Sequence, residues 1–347
     1  MEESLAVFFA DRSWLLLIGL IAAIILVLVK AADALVQHAV VLSERSGMPK
    51  IIVGTTIVSL GTTTPEAAVS VLAALQGNPG LALGNAVGSI ICDTGMILGI
   101  ACLIAPLPLP RQIVNRQGWI QLAAGLLLIV CCWPWVSPMS AFSEGGNLAQ
   151  YVGILFLALL GGYLWLSVHW AKQAKDSVSI EEFEGGAQAS TAAILTKLVV
   201  AIILVVLASW LLIPAVEEAA IRLQVPKAII AATLVAFGTS LPELVTAVTA
   251  SRKGHGDLAI GNIIGADILN VLFVAGAAAA VTPGGLDAST DFFRVLFPAM
   301  LSVLVIFRIG VFVSGDHLKR SFGFVLLAAY LVYLVVVTLF RTVIQQG

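Results

Sequence analysis

Residues 31–66 read "AADALVQHAVVLSERSGMPKIIVGTTIVSLGTTTPE" and residues 208–243 read "ASWLLIPAVEEAAIRLQVPKAIIAATLVAFGTSLPE". The two segments align without a gap at a constant offset of 177. The agreement resumes with "LALGNAVGSIICD" at 81–93 against "LAIGNIIGADILN" at 258–270. Gly61 pairs with Gly238, Pro65 with Pro242, Glu66 with Glu243, Gly84 with Gly261, Asn85 with Asn262 and Gly88 with Gly265. Chance does not produce agreement of this length, so the chain must contain two similar units.

Those units are built for lipid. Of 347 residues, 60% are hydrophobic and 11% charged, and the mean hydropathy is +1.05. Several apolar runs approach the ~20 residues that cross a bilayer. Ten spans are expected, at 14–42, 50–76, 81–104, 118–136, 149–170, 192–216, 227–252, 257–280, 293–313 and 321–341. Trp14, Trp119, Trp133, Trp135 and Trp170 fall near expected ends, where interfacial rings settle. Met1-Glu2-Glu3 offers no positive region of a cleaved signal, so Trp14 onward is expected to be the first span. The net charge of −2, with no basic cluster, argues against a nucleic-acid partner. Cys92, Cys102, Cys131 and Cys132 lie in apolar segments without metal spacing and are expected to be reduced core residues. No cofactor is implied.

The polar stretch 171–191 carries Asp176, Glu181, Glu182 and Glu184 and divides the chain into five-span halves at 1–170 and 192–347. The connections after the odd-numbered spans hold Arg45, Lys50, Arg111, Arg116, Lys172, Lys175, Arg252, Lys253, Lys319 and Arg320. The other side holds Arg12, Arg222, Lys227, Arg294 and Arg341. Ten against five places the linker in the cytoplasm of a cell membrane and both termini outside. Five spans separate each matched pair, so the second copy enters the bilayer from the opposite side. The expected fold is all-α: a polytopic membrane protein of ten transmembrane helices in two inverted-topology repeats of five, the construction of secondary transporters. Both repeats lie in one chain, so a monomer is expected.

The repeat is also where the apolar pattern fails. Pro65 and Pro242 have no N–H for the carbonyls of Gly61 and Gly238, and a carbonyl freed in lipid must face protein, a cavity or a cation. Glu66 lies 11 residues before the turn at Gly77, and Asp93 lies 13 after Gly80. At ~1.5 Å per residue both stand ~16–20 Å from one surface, near the midplane. Glu243 and Asn270 stand alike in the second copy. Carboxylate, hydroxyl and carbonyl oxygens are hard ligands suited to Ca²⁺ and Na⁺. Gly54, Gly84, Gly88, Gly99, Gly261 and Gly265 are expected to serve helix packing. Packing does not account for central carboxylates, which cost at least ~2.5 kcal/mol to insert.

The segments "GTTTPE" and "GTSLPE", followed by "GNAVGSIICD" and "GNIIGADILN", resemble the alpha-repeats of the calcium:cation antiporter superfamily, the sodium/calcium exchangers. The resemblance covers about 31–104 and 208–281. It implies a prokaryotic-type Na⁺/Ca²⁺ antiporter working by alternating access. By resemblance, Thr62, Thr63, Glu66, Ser89 and Asp93 with Thr239, Ser240, Glu243 and Asn270 line the ion sites. Glu66 and Glu243 would be the central Ca²⁺ ligands, joined by the carbonyls of Thr62 and Thr239. In K⁺-dependent members the position of Asn270 is acidic, so exchange without K⁺ is expected. The chain departs from the pattern at Asp93, where Asn is frequent, at Thr64, where an apolar residue is usual, at Ala266, where Ser is expected, and at Asp267, where Asn is frequent. These departures leave an H⁺/Ca²⁺ or Mg²⁺-type exchanger on the same fold as the alternative.

Lys30 and Asp33 have the spacing of a local ion pair, with a gating role as the sharper reading. His38 is expected to be a satisfied polar residue. Glu217, Glu218, Asp287 and Asp291 are expected to be solvated charges on the outer face, or to concentrate cations there. Asp267 either faces the cavity or caps packing through a hydrogen bond. A channel would place its carboxylates on an axis between subunits. An enzyme is not expected: there is no HExxH, and "GHGD" at 254–257 falls in a surface turn.

Overall fold

The computed structural model describes residues 2–175, 190–224 and 238–346. The helices are α1 (Glu2–Ala10), α2 (Trp14–Ser46), α3 (Lys50–Thr62), α4 (Thr64–Leu75), α5 (Pro79–Ile104), α6 (Arg111–Cys132) and α7 (Gln150–Lys175). After the linker follow α8 (Thr191–Arg222), α9 (Leu241–Arg252), α10 (Gly256–Val281), α11 (Phe292–Val313) and α12 (Arg320–Gln346). Among the described residues, eight helices are long and apolar enough to cross a bilayer, and the bent pair α3–α4 makes a ninth. The first part of the span expected at 227–252 lies outside the described residues, as do the linker acids.

Local chemistry sets the ends. Ser13 and Ser190, 177 apart, cap α2 and α8 by accepting from the amides of Leu16 and Ala193. Gly47 closes α2 in the left-handed region at φ 68°, which glycine adopts without a Cβ clash. The fourth span begins earlier than the expected 118 and stops short of 136. It starts at Arg111 after Pro110 and ends at Cys132, because Pro134 drives Trp133 out of the helical region, to ψ 132°. The sequence reading also missed α1. Arg222 holds it, donating to the carbonyls of Phe9, Ala10 and Arg12 at 2.9–3.1 Å. Arg222 also pairs with Glu218 at 2.6 Å, so Glu218 is not a free surface charge.

Burial sorts the helices into layers. The most apolar windows of α5 and α10 are 78% and 83% buried, against 22% for α2 and 17% for α12. The central pair is therefore α5 and α10, while α2 and α8 pack along each other outside it and turn Leu15, Leu26, Val199 and Ile203 outward. α2 has 33 residues, ~50 Å of helix against ~30 Å of hydrocarbon, so it must tilt or protrude. Two small antiparallel sheets tie the halves together. Leu107–Pro108 (β1) pairs with His317–Leu318 (β4), and Gly146–Leu148 (β2) pairs with Leu286–Ala288 (β3). The 22 residues of α6 separate β1 from β2, placing the sheets at opposite ends of the molecule.

At the centre, backbone meets backbone. A Cβ on Gly54 would come within 2.8 Å of the Leu258 carbonyl, and one on Gly261 would overlap the carbonyl of Ile51. A Cβ on Gly265 would overlap Ser59 and Thr55. These contacts lock α3 onto α10, as small residues permit in membrane proteins. Asp33 corrects one expectation: its partner is Lys253, at 3.0 Å from the far half, rather than Lys30 one turn away. Because a Cβ at Gly261 would overlap the Ile51 carbonyl, Gly261→Ala should destabilise the purified protein by ~1–3 kcal/mol, read as a lowered midpoint of thermal unfolding in detergent.

Candidate functional site

The site is assembled where helices lose their regularity. α3 carries a wide π turn at Gly54–Val58, then breaks at Thr63 and resumes as α4 at an angle of 41°. Pro65 occupies the first turn of α4, where its missing N–H costs nothing within the new helix but leaves Gly61 without an amide partner. Glu66 follows in that first turn. Pro242 and Glu243 take the same places in α9. α5 and α10 each widen into a π turn, Ile91–Ile97 and Asn270–Ala275, and these contain Asp93 and Asn270. Such turns re-aim side chains and are frequent at functional sites.

Glu66, Glu243 and Asp93 are each 1% exposed, and Asp267 2%. They lie within electrostatic reach of one another: Glu66 of Glu243 and Asp93, Asp93 of Glu243 and Asp267. Among the described residues, no hydrogen-bond donor meets either oxygen of Glu66, either oxygen of Asp93, Oε2 of Glu243, Oδ1 of Asp267 or Oδ1 of Asn270. The hydrogen bonds the acids do accept come from uncharged side chains. Thr63 Oγ1 donates to Glu243 Oε1 at 3.2 Å, joining the break in the first half to the acid of the second.

Thr62 Oγ1 donates to Asn262 Oδ1 at 3.4 Å, and Thr239 Oγ1 to Asn85 Oδ1 at 3.2 Å. Donors and acceptors of these two bonds are each 177 apart, so the halves grip each other reciprocally. Asn85 also donates to the Glu66 carbonyl at 3.3 Å and to Ser70 at 3.0 Å. The structure thus brings Thr62, Thr63, Glu66, Asp93, Thr239, Ser240, Glu243 and Asn270 to the broken region. Ser240 is buried beside Asp93, and Ser89 is buried one turn before Asp93 on α5. Sequence reasoning missed Asn85 and Asn262 as positioning residues; their identity across the repeat was the available signal. It also missed Thr94 and Gln121, which bind Asp267 and have no repeat signature.

Among the described residues, no three His, Cys, Asp or Glu side chains converge closely enough to form a shell by themselves. A cation here would draw part of its coordination from hydroxyl, amide and main-chain oxygens. That donor set is oxygen, which suits hard cations.

Comparison with known proteins supplies the context. The family model described as "Sodium/calcium exchanger protein" matches residues 16–169 and 194–339. The inner membrane protein YrbG of Escherichia coli is 32% identical over 332 residues, covering 92% of this chain and 94% of that protein. The sodium/calcium exchanger MaX1 of Methanosarcina acetivorans is 30% identical over 355 residues, covering 93% and 97%. A solved structure of the sodium-calcium exchanger NCX_Mj superposes with a TM-score of 0.74 at 24% identity, covering 92% of this chain and 97% of that one, and so shares the fold. An integral membrane protein of broken helices and buried acids, matched along nearly its whole length, this chain belongs to the sodium/calcium exchanger family, a family of transporters.

Proposed function

We propose that the protein exchanges Na⁺ for Ca²⁺ across the cell membrane by alternating access, with Glu66 and Glu243 as the central Ca²⁺ ligands. The observation that carries this reading is the state of those two acids. They stand 177 residues apart at equivalent helix starts, almost fully buried, with three of their four oxygens lacking a donor among the described residues. A carboxylate at that depth needs a positive charge, and among the described residues only the uncharged Thr63 donates to the pair. Asp93, Asn270, the carbonyls of Thr62 and Thr239, and the hydroxyls of Thr63, Ser89, Thr239 and Ser240 complete the lining for Ca²⁺ and Na⁺. The relative MaX1 is named a sodium/calcium exchanger, which supports the same cargo.

The transport mechanism rests on ten spans in two inverted repeats, 1–170 and 192–347, around the 171–191 linker. Helix bounds support it: α4 and α9, and α5 and α10, coincide at both ends under the 177 offset. The sheets support it too. β1 and β3 each follow the third span of their half, yet they pair in different sheets at opposite ends of the molecule. That is what opposite insertion of the halves produces. Similar halves of opposite orientation can exchange conformations, opening the centre to one side and then the other. Both halves supply the site from one chain, so a monomer suffices.

The test is Ca²⁺ flux in proteoliposomes under separately imposed Na⁺, K⁺ and H⁺ gradients. A Na⁺ gradient should drive Ca²⁺ movement without K⁺. Ca²⁺ driven by H⁺ and indifferent to Na⁺ would establish the H⁺/Ca²⁺ alternative, and Ca²⁺ leak with no counter-ion would establish a channel. Glu66→Gln and Glu243→Gln should each reduce flux to background in protein that still folds; wild-type flux in either would remove it from the site. Orientation is read separately. In a cysteine-free background, Met139→Cys should react with an impermeant maleimide from outside the cell, and Asp316→Cys only from within.

A further inference from the structure

Among the described residues, Asp267 is the buried acid that the exchange site leaves unassigned. It stands on α10, one turn before Asn270. Its Oδ2 accepts from Thr94 Oγ1 of α5 and from Gln121 Nε2 of α6, the latter at 2.5 Å. Gln121 Nε2 also lies 3.2 Å from Thr94 Oγ1, so three helices triangulate one oxygen. The other oxygen, Oδ1, has no donor among the described residues. Among the described residues, the charged groups facing Asp267 are both acids: Asp93 of α5 and Glu243 of α9. Gln121 comes from α6, and α3 presents Thr55 and Ser59 to α10 at Gly265.

The arrangement exists in one half only. At the repeat offset, Asp267 corresponds to Ile90 and Thr94 to Val271, both apolar and buried. Asp267 is therefore no part of the symmetric pair of acids. Nor can it swing toward them freely, because Thr94 and Gln121 would lose their acceptor in an apolar interior. A carboxylate pinned at one oxygen by neutral donors, beside two other carboxylates, is left with one oxygen and one charge to satisfy.

We propose that Asp267 Oδ1 is the seat of a single monovalent cation, Na⁺ or a proton, held beside the divalent centre and separate from it. A divalent ion is a poor fit, since Ca²⁺ takes 6–8 oxygen ligands and Asp267 offers one free oxygen. The charge balance points the same way: Glu66, Glu243, Asp93 and Asp267 bring four negative charges, one Ca²⁺ cancels two, and a monocation at Asp267 cancels a third. Ca²⁺ at the centre and the monocation at Asp267 repel each other, so each weakens binding of the other by the same factor. That coupling rests on the exchange reading; occupancy of Asp267 does not.

Infrared difference spectroscopy on the full chain in lipid nanodiscs, without Ca²⁺, tests occupancy. One arm adds Na⁺ at fixed alkaline pH; the other lowers pH in a choline buffer. Wild type should show a carboxyl-stretch change that Asp267→Asn lacks, in the first arm if the ion is Na⁺ and in the second if it is a proton. Spectra of wild type and Asp267→Asn that superimpose in both arms overturn the proposal. Should Asp267→Asn fail to fold, Gln121→Ala decides. It keeps the acid and removes one donor, so the midpoint of the same band must shift, and an unmoved midpoint overturns the proposal. Adding Ca²⁺ should reverse the Asp267 band. A band present but indifferent to Ca²⁺ leaves the monovalent site standing and contradicts the exchange reading instead.

Discussion

Buried carboxylates demand positive charge, and among the described residues only uncharged side chains donate to the four acids at the centre. Glu66, Asp93, Glu243 and Asp267 are buried together, with Thr63, Thr94 and Gln121 as their donors. A neutral donor orients a carboxylate but does not cancel its charge, and several negative groups in a poorly screened interior repel one another. The remaining architecture holds these groups in place despite that repulsion. Breaks at Pro65 and Pro242 start new helices at the required depth, and π turns in α5 and α10 bring in Asp93 and Asn270. Glycine contacts between α3 and α10 draw the backbones close enough for one half to reach the acid of the other.

The two halves are interlocked at the site and at both ends. Thr62 bonds Asn262, Thr239 bonds Asn85, and Thr63 of the first half bonds Glu243 of the second. Strand pairs then join loops of opposite halves at each end of the molecule. Such cross-links make the central helices a frame, while α2 and α8, long and mostly lipid-facing, lie outside it. Motion between α2–α8 and the frame would leave the Thr–Asn bonds intact, because neither helix contributes to them. The salt bridge from Asp33 of α2 to Lys253 beyond α9 does cross that boundary, and it is half-exposed at both ends. Exposed pairs of this kind contribute ~0–1 kcal/mol, weak enough to break and remake.

Much of this was legible beforehand, for identifiable reasons. Repeat spacing located the break between α3 and α4 and the matching start of α9, because a proline and an acid inside an apolar run have few structural excuses. Counting along the helices put Asp93 and Asn270 at equivalent places in the two halves, and both lie in π turns of matching helices, α5 and α10. Local spacing misled where partners are distant in sequence: Asp33 chose Lys253 over Lys30, and Glu218 was tied up by Arg222. Composition could not reveal α1, whose place is fixed by three carbonyls on one arginine of α8.

The sequence by itself determined the membrane character, the two matching units, and the prolines and oxygen-bearing groups set inside their apolar runs. Each follows from periodicity, helix rise and the cost of polar groups in lipid, which act along the chain. The tertiary structure decided which oxygens are spoken for. Asp267 could have faced a cavity or a packing contact; one of its oxygens is clamped by Thr94 and Gln121, and the other has no donor among the described residues. Asn85 and Asn262, conspicuous only as a matched pair, became the acceptors that join the halves. Hydrogen bonds between helices far apart in sequence depend on rotation and distance between packed surfaces, and no local pattern encodes either.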